Sequence, residues 1–363
     1  MKKLFAILLC LQALGCKTSK QESYSTERQI FDHVIFYNGY GKTVNEPVPE
    51  HVIRLKNSSY VKKLTQDDLN AISNRLNLQV TLHARCDNYD RLGHVGLNFV
   101  KKGKPYTEKN VVVKQEIARF VSPFMNKNKM PNSVDYLYEI NNIGRLLNNK
   151  ELRNTYDFWI QFDLFGTPDA AQKEVPGCEG RGDIYGGSIK LVSSSAKYSN
   201  KDEKLVHLYS RDKLDNYKHS DVEGETIKVN DFTLEKPVNN ARLYVITSNH
   251  GANKGGEEYI RREHMVYFDG EELAKYTPGG ESCEEFRVVN TQGNGIYGKR
   301  PKKLEDWARW NNWCPGNKIP IRIYELGDLK AGKHQFKMDV PEAEFKDQKG
   351  YIPLTAYIQG EEK

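Results

Sequence analysis

Two acidic motifs, far apart in the sequence, carry residue types that could perform hydrolysis. Residues 86–91 read Cys-Asp-Asn-Tyr-Asp-Arg, and residues 258–264 read Glu-Tyr-Ile-Arg-Arg-Glu-His. Each motif combines carboxylates with arginine and an aromatic ring, where a predicted strand meets a loop. A partly shielded carboxylate can act as a general base, because burial and nearby charges set its pKa. Most glycosidases also use a pair of carboxylates for catalysis.

Histidines beside the second motif allow a different interpretation. His250 and His264 lie close in sequence to Glu258 and Glu263 and could bind a metal ion. The other histidines are scattered singly, however, and an isolated loop histidine is more often hydrogen-bonded than metal-bound. We therefore expect no metal and no cofactor.

A tryptophan cluster late in the chain could contact a sugar. Trp307 and Trp310 flank Arg309, and Trp313 precedes Cys314. Aromatic rings stack on sugar faces and arginine binds polar groups, so this segment could line a glycan cleft. For Trp313, beside a cysteine, core packing is the better explanation. For Trp307 and Trp310, packing and sugar binding are equally good explanations.

The elements that must position these residues are predicted to be strands. Residues 76–83 alternate between apolar and polar side chains, which is the two-residue period of a half-buried strand. Residues 158–165 behave similarly and end at a turn signature in residues 166–169. Residues 242–247 and 321–324 are further candidates. Alternating segments separated by turns predict an all-β sandwich architecture.

Helices are predicted to be few, and loops to be long in the second half. Thr65 could cap one short helix, and residues 141–148 could hold a further turn. Residues 167–187 are rich in glycine and proline and predict the domain boundary. The loops 249–256 and 277–300 are where a rigid sandwich would carry a binding site.

Composition and charge limit the class of protein. The chain has 363 residues, more than one ordinary domain, with 38% hydrophobic and 28% charged residues and 21 tyrosines. The formal net charge is +6, and basic and acidic residues are interspersed throughout. This pattern does not suggest nucleic-acid binding.

The N-terminus predicts export. Residues 1–15 combine Lys2 and Lys3 with a short apolar run, as in a signal peptide, and this run is too short for a membrane-spanning helix. Residues 13–16 resemble a bacterial lipobox, in which Cys16 would be acylated and anchor the protein to a membrane. An ordinary secretory signal is the alternative. Residues 16–26 are polar and predict a tether.

Export would give a structural role to the four cysteines that follow Cys16 in the chain. Cys86, Cys178, Cys283 and Cys314 form an even set, which suggests disulfide bonds in an oxidising compartment. Four cysteines allow three connectivities, and spacing alone does not choose between them.

Five segments in one order resemble the bacterial peptide:N-glycosidase F family. Residues 86–91 resemble the family's Cys-Asp-Glu-Trp-Asp-Arg, and residues 118–124 (Ala-Arg-Phe-Val-Ser-Pro-Phe) its Gly-Arg-Phe-Ile-Thr-Pro-Tyr. Residues 165–169 (Phe-Gly-Thr-Pro-Asp) are similar to Tyr-Gly-Thr-Pro-Asp, and residues 258–264 to Glu-Trp-Cys-Phe-Arg-Thr-His. Residues 313–316 match Trp-Cys-Pro-Gly directly.

This resemblance implies a fold and an activity. The implied fold is all-β, with two eight-stranded antiparallel jelly-roll sandwiches packed side by side over residues 27–170 and 180–363. The implied activity is hydrolysis of the amide bond between an N-linked glycan and asparagine, in glycoproteins or glycopeptides, at the interface of the two domains. We expect a monomer. A non-catalytic glycan-binding lipoprotein, or a glycosidase on the same fold, is the alternative.

The resemblance also implies site residues. The family's main catalytic carboxylate falls on Asp90 and its partner glutamate on Glu258. Asp90 would act as the general base, and Glu258 would orient water or the first sugar. The residues expected to bind substrate are Arg91, Tyr89, Tyr259, His250, Trp307, Arg309 and Trp310.

Some positions depart from the family pattern. Tyr259 and His250 stand where the family has tryptophans, and the family's third carboxylate has no clear counterpart. Cys283 and Cys314 have counterparts in a bonded pair and are expected to form a disulfide. The family's local partner for Cys86 is absent, so pairing of Cys86 with Cys178 stays open.

Overall fold

The structure is a computed structural model that describes residues 25–194, 203–215, 226–252, 254–309, 312–346 and 349–363. The predicted signal peptide, Cys16 and most of the predicted tether lie outside these residues. Within the described ranges, no helix is long and apolar enough to cross a membrane.

The first sandwich contains nine strands in two antiparallel sheets. One sheet has the order β1-β9-β4-β7 and the other β2-β3-β8-β5-β6. The alternating segment that we identified in the sequence forms β4, whose leucine and valine side chains point into the core. The strands are β1 Ser25–Tyr37, β2 Val52–Lys56, β3 Ser59–Lys63, β4 Arg75–Ala84, β5 Leu92–Lys101, β6 Val111–Val121, β7 Ser133–Glu139, β8 Tyr156–Leu164 and β9 Asp183–Ser194.

In the residues that the structure describes, the second sandwich contains eight strands in two sheets of four. Their orders are β10-β17-β12-β15 and β11-β16-β13-β14, and a separate apolar core fills the space between them. The strands are β10 Glu203–Leu214, β11 Thr226–Leu234, β12 Val238–Thr247, β13 His264–Phe268, β14 Glu271–Tyr276, β15 Arg322–Leu329, β16 Gly332–Val340 and β17 Ile352–Glu362.

The helices are short and lie in the connections. Thr65 begins α1 with a capping box, in which its hydroxyl accepts from the backbone N–H of Asp68 and the Asp68 carboxylate accepts from the N–H of Thr65. The helical segments are α1 Gln66–Ala71, α2 Asn141–Leu147, α3 Lys150–Thr155, α4 Ala171–Glu174, the 3-10 helix Glu284–Phe286 and α5 Leu304–Ala308.

The prediction of an all-β protein with two packed sandwiches is confirmed, with two corrections. The first sandwich has nine strands rather than eight, because the hairpin partner β2 extends one sheet edge. The predicted boundary within 167–187, with a second domain from residue 180, is too early. Strand β9 returns to pair with β1 and β4, so the second sandwich begins after Ser194.

A buried ionic network joins the two sandwiches. Arg119, on β6, is fully buried and forms an ion pair with Glu116 at 2.7 Å. It also donates to the Ser248 hydroxyl at 2.9 Å and to the Pro353 carbonyl at 2.7 Å, both in the second sandwich. Thr355 donates its hydroxyl to Glu116 from the same side. Each charge in this interface therefore has several partners, as buried charges require.

Two disulfides are present in the structure. Cys283 pairs with Cys314, as the family resemblance implied, and Cys86 pairs with Cys178, which the sequence left open. In the chain-entropy account, closing the 31-residue separation between Cys283 and Cys314 stabilises the fold by about 3–4 kcal/mol. The bridge from Cys86 fixes the connection after β4 that carries the first acidic motif.

Candidate active site

A buried aspartate shapes the loop between β4 and β5. Asp87 accepts hydrogen bonds from the backbone N–H groups of Tyr89 at 3.0 Å and Thr167 at 2.9 Å. It also binds Arg91 through two guanidinium nitrogens, at 2.7 and 3.2 Å. These bonds hold the loop in one conformation, and Asp90, between Tyr89 and Arg91, lies on the wall of a cavity.

The close approach of Gly166 explains the Gly-Thr-Pro-Asp turn. A Cβ atom at Gly166 would lie 2.4 Å from Oδ2 of Asp87 and 2.9 Å from Cδ1 of Ile184. Both atoms belong to buried residues that cannot easily move away. Only glycine therefore lets the turn donate the Thr167 N–H to Asp87.

Two adjacent glutamates in the loop before β13 have different roles. Glu257 is fully buried, binds Arg262 at 2.7 Å and accepts from the backbone N–H of Glu344 at 2.9 Å. Glu258 is only partly buried, and its Oε2 accepts from the Gly251 N–H at 3.2 Å. Asn312 secures the loop by donating to the Glu258 carbonyl at 2.7 Å. Glu257 therefore anchors the loop, and Glu258 is the glutamate that reaches the cavity.

Asp90 and Glu258 line the same cavity, which has a volume of about 650 Å³ and lies between the two sandwiches. Asp90 comes from the first sandwich and Glu258 from the second, so both must pack together to form the site. The lining residues are Tyr40, Lys56, Ser58, Asp90, Arg91, Leu92, His94, Val121, Gln161, Asp163, Phe165, Arg211, His250, Gly251, Ala252, Glu258, Trp313 and Tyr351.

The two carboxylates are electrostatically coupled. Burial and the negative charge of Glu258 raise the pKa of Asp90 to about 7, and Arg91 opposes this only in part because it is bound to Asp87. Burial also raises the pKa of Glu258, against its hydrogen bonds to Tyr259 and Gly251. Asp90 can therefore gain or lose a proton near neutral pH, which suits a general base.

Replacing Glu258 by glutamine is expected to lower the pKa of Asp90. Removing the negative charge of Glu258 favours the ionised form of Asp90. A titration of the Asp90 carboxyl carbon by NMR in the wild type and in Glu258→Gln tests this. An equal pKa in both proteins would contradict the coupling of Asp90 and Glu258.

Two tyrosines and an arginine lie next to the carboxylates in the chain. Tyr89 and Tyr259, next to Asp90 and Glu258 in the chain, are exposed. Arg91 lies 5.5 Å from the ring centre of Tyr89, a cation–π distance. Burial and the negative charge of Glu258 raise the pKa of Tyr259, so its hydroxyl remains protonated and can donate hydrogen bonds.

His250 is part of the cavity wall in a neutral form. Its Nε2 lies 2.7 Å from the Ser248 hydroxyl, and its ring stacks against Trp313 and Tyr351. Burial and the charge of Arg119 lower the pKa of His250 well below its ordinary value.

His264 is fully buried elsewhere and stacks on Tyr276. The structure therefore does not bring His250 and His264 together as metal ligands. Among the residues that the structure describes, no group of three or more histidine, cysteine or acidic residues could hold a metal ion.

The described part of the tryptophan segment packs against a disulfide. Trp307 is fully buried, its Nε1 donates to Glu284 at 3.0 Å, and it packs beside the Cys283–Cys314 disulfide. Arg309 is exposed and donates to the Glu305 carbonyl at 3.1 Å, away from the cavity lining. The structure contradicts a sugar-stacking role for Trp307, because its ring is packed around the disulfide, whereas the role of Arg309 stays a prediction. Trp310 lies outside the described residues.

Several cavity residues had no clear sequence signal. Asp163, near the end of β8, binds Arg211 of β10 across the domain interface, and Gln161 donates to Asp163 at 2.9 Å. Asp163 is a third carboxylate on the cavity wall. Tyr40 and Phe165 line the same region. Phe165 precedes the recognised Gly-Thr-Pro-Asp turn, which was the one available hint, whereas Tyr40 is brought close only by the fold.

The sequence matches two family models that cover most of the chain. Residues 28–177 match the N-terminal domain of peptide-N-glycosidase F, and residues 216–359 match its C-terminal domain. A search of curated proteins finds no match.

Solved structures of related proteins share the fold. A structure of PNGF-II shares 19% sequence identity with this chain and has a TM-score of 0.65. The match covers 93% of this chain and 65% of the PNGF-II chain. A structure of PNGase F, a glycosylasparaginase from Flavobacterium meningosepticum, shares 13% sequence identity with this chain and has a TM-score of 0.58. The match covers 93% of this chain and 96% of the PNGase F chain. The chain thus spans about two thirds of the length of PNGF-II. With both domain models matched in order, this chain belongs to the peptide-N-glycosidase F family.

Proposed function

We propose that this protein is an amidase that cleaves the bond between an N-linked glycan and asparagine. The observation that carries the proposal is the position of Asp90 and Glu258, contributed by different sandwiches to one cavity. Family membership supports the choice of an amide bond over a glycosidic one. A single chain supplies both carboxylates, so we also propose that it acts as a monomer.

In the proposed reaction, Asp90 takes a proton from a water molecule that attacks the side-chain amide carbon of asparagine. Glu258 and its neighbour Tyr259 orient the water or the first sugar. The C–N bond then breaks, and the proton held by Asp90 passes to the departing nitrogen. The products are a glycosylamine and a peptide in which aspartate replaces asparagine. A pKa of about 7 lets Asp90 both accept and return this proton near neutral pH.

Mass spectrometry of a digested N-glycopeptide tests the proposal. An amidase yields a peptide containing aspartate and a released intact glycan. A peptide that keeps asparagine and a residual sugar would indicate a glycosidase on the same fold. An unchanged substrate, with glycan binding retained, would indicate a glycan-binding protein. Either of the last two results would overturn the amidase assignment.

We also propose that the protein is exported and anchored by lipid to the bacterial cell envelope. The two disulfides support export, because such bonds persist in oxidising compartments. The lipid anchor at Cys16 rests on the lipobox-like sequence of residues 13–16. Its substrates would then be glycoproteins or glycopeptides encountered outside the cytoplasm.

Replacing Cys16 by alanine is expected to release or mislocalise the protein. Each buried methylene of an acyl chain contributes about 0.8 kcal/mol to membrane binding, so loss of acylation removes the anchor. Fractionation of cells that express wild-type protein or Cys16→Ala tests this, with Cys10→Ala as the matched control in the apolar part of the leader. Equal membrane association of the wild type and Cys16→Ala would refute lipidation.

A further inference from the structure

A second, smaller pocket lies in the second sandwich, outside the proposed catalytic machinery. Its walls come from the end of β12 at Thr247, the loop 277–281 after β14, the segment 312–320 and Arg322 at the start of β15. Trp313 lines both this pocket and the larger cavity. The volume of about 130 Å³ is well below the roughly 300–1,000 Å³ of pockets that take drug-sized molecules, so a ligand here would be small.

The guanidinium group of Arg322 is held in this pocket by an aromatic ring. Its Cζ lies 3.8 Å from the ring centre of Tyr276, and the Tyr276 hydroxyl forms a 2.8 Å hydrogen bond with the hydroxyl of Thr247. Nη1 of Arg322 is buried and has no hydrogen-bond partner in the described part of the chain. The ring positions the cation but supplies no oxygen acceptor. A buried charged donor without an acceptor is costly, and an oxyanion in the pocket would satisfy it.

The charged residues of the lining favour an anion. Lys318 is the second cation of the pocket, and its Nζ donates to the uncharged carbonyl of Leu137 at 2.9 Å. Glu281 is the one acidic residue among those that line the pocket, and it is exposed. Two cations against one exposed carboxylate therefore give the lining a net positive charge.

Asn312 adds a buried acceptor to the same pocket. Its side chain is 6% exposed, and its nitrogen donates to the carbonyls of Glu257, Glu258 and Ile260 at 3.2, 2.7 and 3.1 Å. These three bonds fix the orientation of the amide. Its Oδ1 is buried and has no donor among the residues that the structure describes. A ligand that matches this pocket therefore carries acceptor oxygens for Arg322 and one O–H donor for Asn312.

The walls of the pocket are fixed by covalent and backbone bonds. Cys314 lines the pocket, and its disulfide with Cys283 ties the segment 312–320 to the long loop after β14. The same segment is held to the first sandwich, because Ile319 donates its N–H to the Arg119 carbonyl at 2.8 Å. The groups that would contact a ligand are thus positioned in advance, which reduces the entropy lost on binding.

We propose that this pocket binds a small protonated oxyanion of the hydrogen phosphate type. Its oxygens accept hydrogen bonds from Arg322 and Lys318, and its O–H donates to Oδ1 of Asn312. Phosphate keeps at least one proton near neutral pH, whereas sulfate, which has a similar size and shape, has none. Sulfate would leave the Asn312 acceptor unpaired and should bind about tenfold more weakly. The site does not depend on the proposed amidase activity, because neither Asp90 nor Glu258 lines it.

Calorimetric titration of the protein with inorganic phosphate and with sulfate, near neutral pH and at equal ionic strength, tests this site. The wild type should bind phosphate about tenfold more tightly than sulfate. Arg322→Gln should weaken phosphate binding at least about tenfold, and Arg322→Lys, which keeps the charge, should weaken it less. Arg242→Gln is the matched control, since it removes an arginine of the neighbouring strand β12 that lies outside this lining. It should keep the wild-type affinity.

Three results would overturn the phosphate site. They are no phosphate binding by the wild type at millimolar concentrations, equal affinities for phosphate and sulfate, and a loss in Arg322→Gln no larger than that in Arg242→Gln. Thermal melting without phosphate shows whether each variant folds. If Arg322→Gln does not fold, Lys318→Gln replaces it, because Lys318 is exposed. That variant should weaken phosphate binding about threefold, and an unchanged affinity would equally overturn the site.

Discussion

Asp90→Asn is expected to lower kcat by about a hundredfold to ten-thousandfold, the range typical for loss of a general base. The asparagine side chain keeps the size and shape of aspartate but cannot accept a proton from water. Substrate binding should change much less, because Asp90 would make its main contribution in the transition state. Single-turnover kinetics and calorimetric titration with a glycopeptide separate the two effects. A turnover number equal to that of the wild type would remove Asp90 from the mechanism.

Two controls accompany Asp90→Asn. Asp169→Asn changes an exposed aspartate outside the cavity lining and should leave kcat unchanged. Thermal unfolding should show that Asp90→Asn folds. The difference in stability between the variant and the wild type should also depend on pH in a predictable direction. The folded pKa of Asp90 is raised from 3.8 to about 7, so ionising it costs the wild type stability as pH rises through this range. The variant should therefore gain stability over the wild type above about pH 7, by at most about 4 kcal/mol, and lose this gain below about pH 4.

Arg119→Met is expected to destabilise the protein by about 3–5 kcal/mol, because it leaves the charge of Glu116 buried without its arginine. Burial alone would raise the pKa of Glu116, but Arg119 and His94 hold it below its ordinary value, so it stays ionised in the native protein. The variant also removes the bonds from Arg119 to Ser248 and Pro353 that join the sandwiches. Urea unfolding of wild type and variant measures the loss.

A second substitution distinguishes the charge effect from simple loss of packing. Arg119→Met combined with Glu116→Gln removes both charges and should recover part of the lost stability. Arg242→Gln breaks an exposed ion pair with Glu325 and should cost no more than about 1 kcal/mol. A loss in Arg119→Met as small as that in Arg242→Gln would show that the buried network does not hold the interface.

Local sequence patterns were sufficient to predict several of the strands and the first helix. The alternation within 76–83 predicts the burial pattern of β4, and Thr65 caps α1 through Asp68. These features depend on neighbours within a few residues, where side-chain periodicity and capping chemistry act directly. The number of strands and the domain boundary depend on pairing over long distances. Strand β9 pairs with β1, although most of the sequence of the first sandwich lies between them. No local signal marks that pairing.

The candidate site was only partly predictable for the same reason. Asp90 and Glu258 were found because their motifs resemble a family, but the role of Asp87 in binding Arg91 needed the fold. Tryptophan is a residue type that often binds sugars, but Trp307 packs beside a disulfide. Its burial is decided by contacts with residues that are distant in the sequence. Tyr40 and Arg211 reach the cavity from separate loops and strands, and nothing in their own neighbourhoods shows it.

Digestion of an N-glycopeptide in water enriched in heavy oxygen, followed by mass spectrometry, tests amide hydrolysis most directly. Attack of water on the asparagine side chain predicts a peptide with aspartate that carries one heavy oxygen atom, together with the intact glycan. Asp90→Asn should form this product more slowly than the wild type, by the same factor as the expected fall in kcat. A peptide that retains asparagine with a residual sugar and no heavy oxygen would contradict the assignment of Asp90 and Glu258 to amide hydrolysis.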